Sequence, residues 1–125
     1  MTLAAVDSGP PDVPVEGDTY TQNAKSWFEH AEGLARRHET ERARAEYAEA
    51  KERFPYSQYA PLEELRLIDL DFAAGHYDDC AKRYARWARE HPTNAARPQA
   101  IARAATAQCL GQDSGPCADP YDAGF

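Results

Sequence analysis

The sequence predicts an all-α fold in which one helix-pair unit is repeated along the chain, and three observations predict it. Pro55 and Pro92 stand 37 residues apart, and each is followed six residues later by another proline, Pro61 and Pro98. The same offset maps His38 onto Gly75, Ala43 onto Cys80, Tyr47 onto Tyr84 and Ala50 onto Trp87. A fixed period in this range marks one supersecondary unit used more than once. Within each unit, Ala43, Tyr47, Ala50 and Phe54 recur at steps of four, three and four, as do Cys80, Tyr84, Trp87 and His91. Those steps draw one stripe on a helix.

Five helices follow, over about 22–37, 40–54, 58–74, 77–91 and 95–110. The first two are separated by "RRHET" around His38. The third opens after Ser57, which can cap it, with Pro61 early in the helix where a missing N–H costs least. Gly75 supplies the left-handed residue that ends that helix, and "GHYDD" starts the fourth with acids in its first turn. Thr93 and Pro98 play the Ser57 and Pro61 parts for the fifth helix. Acid-before-base pairs at four-residue spacing (Glu32–Arg36, Glu49–Arg53, Asp78–Lys82 and Asp79–Arg83) mark solvated faces. Each is worth only about 0.2–0.5 kcal/mol.

The 125 residues suit one domain, and 42% hydrophobic residues allow a modest core. Residues 1–21, with three prolines and four acids, are expected to be a flexible Pro- and acid-rich leader; 22–112 form the helical repeat domain and 113–125 an irregular tail rich in breakers. The net charge is −7, of which −4 lies in residues 1–23. The body is close to neutral, so it offers no one-signed surface for nucleic acid or anionic lipid. No apolar run approaches the ~18 residues of a membrane span, and no complete signal peptide opens the sequence. Either the chain is cytosolic, or an upstream signal, anchor or domain is missing from it.

These residues resemble the tetratricopeptide repeat, whose pattern runs W-x2-L-G-x2-Y, then A-x3-F, then P. The first unit offers Trp27, His30, Ala31 and Leu34, then Ala43, Tyr47 and Pro55; the second offers Leu67, Ile68 and Asp71, then Gly75, Cys80, Tyr84 and Pro92. His30, Ile68 and Asp71 depart from the pattern. A third stretch, "AIARAATAQCLGQ", looks like a first helix ending at Gly111, 36 residues after Gly75. The resemblance covers about residues 22–112. It implies a right-handed α-solenoid of two helix pairs plus a C-terminal capping helix. The stretch from Arg53 to Asn94 is also similar to long-loop repeats of bacterial envelope proteins: the barrel-assembly lipoprotein of the outer membrane, the Tol–Pal coordinator and the ends of membrane-bound anti-sigma regulators. That likeness implies a periplasmic or envelope-associated scaffold that holds a protein partner, catalyses nothing and needs no cofactor.

In such a solenoid the first helices line a concave groove. Its expected lining is Lys25, Phe28, Glu32, Arg36, Leu62, Leu65, Asp69 and Phe72, with Phe28, Leu65 and Phe72 equally open to a core role. Apolar anchors among charges suit an extended or helical peptide. Glu32 and Asp69 would repel a carboxylate, so a basic or mixed-charge ligand is expected. Cys80 sits at a small-residue position and reads as buried and inert. Cys109 and Cys117 flank a turn-forming loop and can form a disulfide; a Cys80–Cys109 pairing and three free thiols are the alternatives. No spacing resembles a metal site, a nucleophile elbow or a phosphate loop. The paired acids Glu63–Glu64 and Asp78–Asp79 are adjacent on helices and point apart, so they cannot share a substrate. The functional expectation is a non-catalytic scaffold or adaptor for a protein or peptide. A self-associating structural module, forming a homo-oligomer, and the sensory end of a larger regulator are the alternatives.

Overall fold

The protein is described from a computed structural model over residues 19–112. Among these residues the structure is all-helical: α1 Thr19–Arg36, α2 Thr40–Arg53, α3 Ala60–Ala73, α4 Tyr77–Glu90 and α5 Arg97–Gln112. Two units are distinguished, divided between Leu67 and Ile68. The 37-residue period extends to the element bounds. Thr40–Arg53 shifted by 37 gives Tyr77–Glu90, and Ala60 shifted likewise gives Arg97, the first residue of α5.

In unit one, α1 packs on α2. Ala24, Trp27, Ala31 and Leu34 of α1 meet Ala43, Tyr47 and Ala50 of α2, with Phe54 and Leu65 closing the core. Ala24 and Ala50 leave the space that the Trp27 indole fills, alongside Phe54 and Tyr59. In the next repeat the residues at the Trp27 and Ala50 positions are Glu64 and Trp87, so the bulk moves from the first-helix position to the second.

α1 starts at Thr19, inside the segment expected to be leader. Tyr20 causes this. Its ring stands edge-on to Phe54 with centroids 5.3 Å apart, and its hydroxyl accepts the Tyr56 N–H at 3.0 Å. The remaining leader residues and the 113–125 tail lie outside the described residues.

Unit two holds the end of α3, α4 and α5. Its core is Ile68, Cys80, Tyr84, Trp87 and Ala88, closed by Ala100, Ala102 and Ala107 of α5. Cys80 is a free, buried thiol facing the Ile68 carbonyl at 3.6 Å. The Cys80–Cys109 alternative is therefore not made, because Cys109 is disulfide-bonded and Cys80 is not. Cys117 lies outside the described residues.

Both first helices stop in the same way. His38 has φ 63° and Gly75 has φ 94°. The N–H that follows each reaches back to close the turn: Glu39 to the Leu34 carbonyl at 3.0 Å, His76 to the Asp71 carbonyl at 3.1 Å. That six-to-one bond is the left-handed helix stop. Ser57 does take part in the next start, its Oγ accepting the Tyr59 N–H at 3.1 Å. Before α5 the oxygen is not Thr93's but that of Asn94, which accepts the Ala96 N–H at 2.9 Å. The one-residue shift lets the helix begin at Arg97 with Pro98 in its first turn.

Candidate functional site

Two carboxylates expected to line a groove are held inside their own units. Glu32, on α1, accepts the Tyr47 hydroxyl of α2 at 2.8 Å and the Arg66 Nε of α3 at 2.7 Å. Asp69, on α3, accepts the Tyr84 hydroxyl of α4 and the Arg103 Nη1 of α5, the latter at 3.3 Å. All three members of the first set recur 37 residues later in the second. In each unit a first-helix acid thus receives a phenol from the second helix and a guanidinium from the helix after that. Half-buried acids need such donors because their desolvation is costly. Burial, and then the Asp69 charge, push the Tyr84 phenol far above its ordinary range. It stays a neutral donor throughout physiological pH.

The other expected groove residues divide by position. Lys25 is exposed and pairs with Glu29 at 3.5 Å. Arg36 is exposed, and Leu62 is half-buried. Phe28 is half-buried, stacked on Tyr59 with centroids 5.2 Å apart and 6.4 Å from Tyr47. Phe72 meets Tyr77 and Tyr84 edge-on, and Arg103 lies 5.7 Å from its ring centroid. Leu65 is 1% exposed, a core residue and no groove anchor, because its stripe of α3 turns inward. With Arg66 and Arg103 neutralising Glu32 and Asp69, the charge argument for a basic ligand lapses.

Sequence reasoning passed over two buried acids. Glu46 is buried on α2 and pairs with His30 Nδ1 of α1. His30, which takes the place of a leucine in the repeat pattern, therefore has a partner that explains it. Glu63, read only as pointing away from Glu64, is wholly buried, and neither carboxyl oxygen has a hydrogen-bond partner. Burial pushes its carboxyl up to about 8, opposed by Lys51. The repeat exposes the oddity, since 37 residues after Lys51 and Glu63 stand Ala88 and Ala100, both buried. Unit one thus carries an acid and a base where unit two packs methyl groups.

Between α4 and α5 runs an open groove of about 420 Å³, lined by Asp78, Ala81, Lys82, Ala85, Gln108 and Gln112. Gly111 lets α5 come close to α4 there, since a Cβ on it would lie 2.2 Å from the Asp78 carboxylate. Among the described residues, no cluster of His, Cys, Asp and Glu is placed to hold a metal ion, and no helix is long and apolar enough to cross a membrane. No protein-family model, curated protein or solved structure matches the chain.

Proposed function

We propose that this chain is a non-catalytic scaffold for a protein or peptide partner, built from tetratricopeptide-type helix pairs stacked as a right-handed solenoid. The recurrence of the acid–tyrosine–arginine set at 37 residues carries the reading. It supports a repeat whose conserved spacing serves architecture, since the side chains best suited to acid–base chemistry are spent on holding helices to one another. A scaffold needs rigid first helices with a free outer face, and α1 offers one. Lys25 and Arg36 stand three turns apart on the same side of that helix, with the half-buried Phe28 ring between them. A partner segment lies along this face with its apolar anchor against Phe28. The Cys109 disulfide supports an oxidising compartment such as the bacterial envelope.

Site-specific photo-crosslinking in source cells tests this. A photoreactive residue at Lys25 and at Arg36 is expected to give one shared adduct, and at Glu49 and Glu52 on the outer face of α2 none. Adducts from all four positions, or from none, overturn it.

A further inference from the structure

Unit two carries a basic stripe that its fold does not use. Lys82, Arg86 and Arg89 follow one another at steps of four and three on α4, so they share one face over about 10 Å. All three are exposed. No described residue forms an ion pair or side-chain hydrogen bond with any of them; the guanidinium that α4 does commit is that of Arg83, to Asp71 and Asp79. Asp78, spaced to pair with Lys82, lies against Gly111 instead. The repeat shows that the architecture does not require these bases. The residues 37 positions earlier, on α2, are Ala45, Glu49 and Glu52. A stripe that is basic on one second helix and acidic on the other answers to something outside the core.

The stripe borders the groove between α4 and α5. Lys82 belongs to both, and Ala81 and Ala85 keep the α4 side of the groove low. α5 runs antiparallel to α4, since Gly111 meets Asp78 at one end and the Arg97 Nε donates to the Ala88 carbonyl at 3.0 Å near the other. The facing wall is the exposed stripe of α5, Ile101, Gln108 and Gln112, which holds no charge. Gln108 and Gln112 stand opposite Lys82, and Ile101, 46% exposed, continues the wall towards the Arg89 end of α4. One wall is thus basic and the other uncharged, with an apolar side chain at one end.

We propose that this groove is a second docking site, and that it takes an acidic amphipathic helix of a partner protein. Charge decides the occupant. Three bases without a described partner, on a chain of net charge −7, favour a segment that presents carboxylates one turn apart. The uncharged wall favours an apolar residue on the adjoining stripe of that segment, seated against Ile101. A nucleic acid is disfavoured, because Asp79 and Glu90 stand exposed on α4 beside the bases and Asp78 closes the other end. The site is separate from the α1 face, and either can fail without the other.

NMR titration of the isotopically labelled full-length chain tests it. The probe is a synthetic helix of about four turns with glutamates at i, i+4 and i+7 and leucines on the adjoining stripe. A matched peptide carries lysines in place of the glutamates. The glutamate peptide is expected to shift the amides from Lys82 to Arg89 and from Ile101 to Gln112, and to bind at least about ten-fold tighter than its lysine match. Arg86→Glu/Arg89→Glu puts on α4 the residues that α2 already carries at these positions, so the fold is kept. That variant is expected to weaken binding of the glutamate peptide by about ten-fold or more. Equal binding of the two peptides, no binding, an unaffected double variant, or shifts confined to other helices overturn the proposal. So does a single-stranded oligonucleotide that binds this face as tightly as the peptide. Shifts of the α4 amides that grow with protein concentration alone also overturn it, by putting a second copy there.

Discussion

Tyr47 donates its hydroxyl to Glu32 across 2.8 Å, joining the second helix of unit one to the first, and Arg66 reaches the same carboxylate at 2.7 Å. Tyr84 and Asp69 repeat the arrangement 37 residues on. The phenol is the buried member of each set, and the acid keeps some solvent contact. Replacing Tyr47 or Tyr84 by Phe keeps the ring packing and removes only the bond to a charged acceptor. Each change is expected to cost about 1.5–3 kcal/mol in urea unfolding. Tyr56→Phe, at a ring 92% exposed, is the control and is expected to leave stability unchanged.

The two left-handed turn residues predict effects of opposite sign. His38 holds φ 63° with a side chain, at about 1–2 kcal/mol of strain, whereas Gly75 holds φ 94° without that strain. A glycine at 38 relieves the strain but adds about 0.5–1 kcal/mol of unfolded-chain entropy. His38→Gly is therefore expected to stabilise by roughly 0.5–1 kcal/mol. Gly75→Ala is expected to destabilise by a similar amount, and through the backbone alone, because nothing lies within 4 Å of its new Cβ. Thermal unfolding of the two variants checks both signs.

Helix type and period were legible because they depend on local pattern: the four-three-four stripes, the prolines and Gly75 carry them without reference to distant residues. The ion pairs Glu49–Arg53 and Asp79–Arg83 form as their spacing suggests. What escaped is non-local. Glu32 was paired by spacing with Arg36, one turn away, yet Arg66 takes it from 34 residues off. The start of α1 depends on Tyr20 meeting Phe54 and Tyr56, so composition alone assigned Thr19–Thr21 to the leader. Leu65 and Phe28 both sit among charges in sequence, and only packing turns one of them fully inward. The acid–tyrosine–arginine set could have been found, since the 37-residue offset that relates the tyrosines also relates Glu32 to Asp69 and Arg66 to Arg103.

Cys80 is expected to be chemically silent until the protein unfolds. Burial pushes its thiol up to about 11, so almost no thiolate is present at pH 8. Alkylation by iodoacetamide at that pH is expected to run at least about a hundred-fold slower than for an exposed cysteine. Denaturant should abolish the difference. Cys80→Ala installs the residue that unit one carries at Ala43, and it is expected to cost no more than about 1 kcal/mol.

Glu63 gives the sharpest pH dependence. Its carboxyl titrates at about 8 in the folded chain against an ordinary value of 4.5, because burial disfavours the charge more than Lys51 favours it. Between those two values the folded state holds a proton that the unfolded state has released. The contribution of this group to stability is therefore full below about pH 4.5, falls as pH rises towards 8 and is gone above it. The slope is on the order of 1.4 kcal/mol per pH unit within the window. Glu63→Gln keeps the shape without a proton to lose. It is expected to flatten this part of the profile and to leave the variant more stable than wild type at pH 8 and above. Lys51→Ala removes the charge that opposes the shift and is expected to extend the decline to higher pH, its onset near pH 4.5 unchanged. Urea unfolding of the three proteins from pH 5 to pH 9 decides it. Parallel profiles for wild type and Glu63→Gln would show that water reaches this carboxyl.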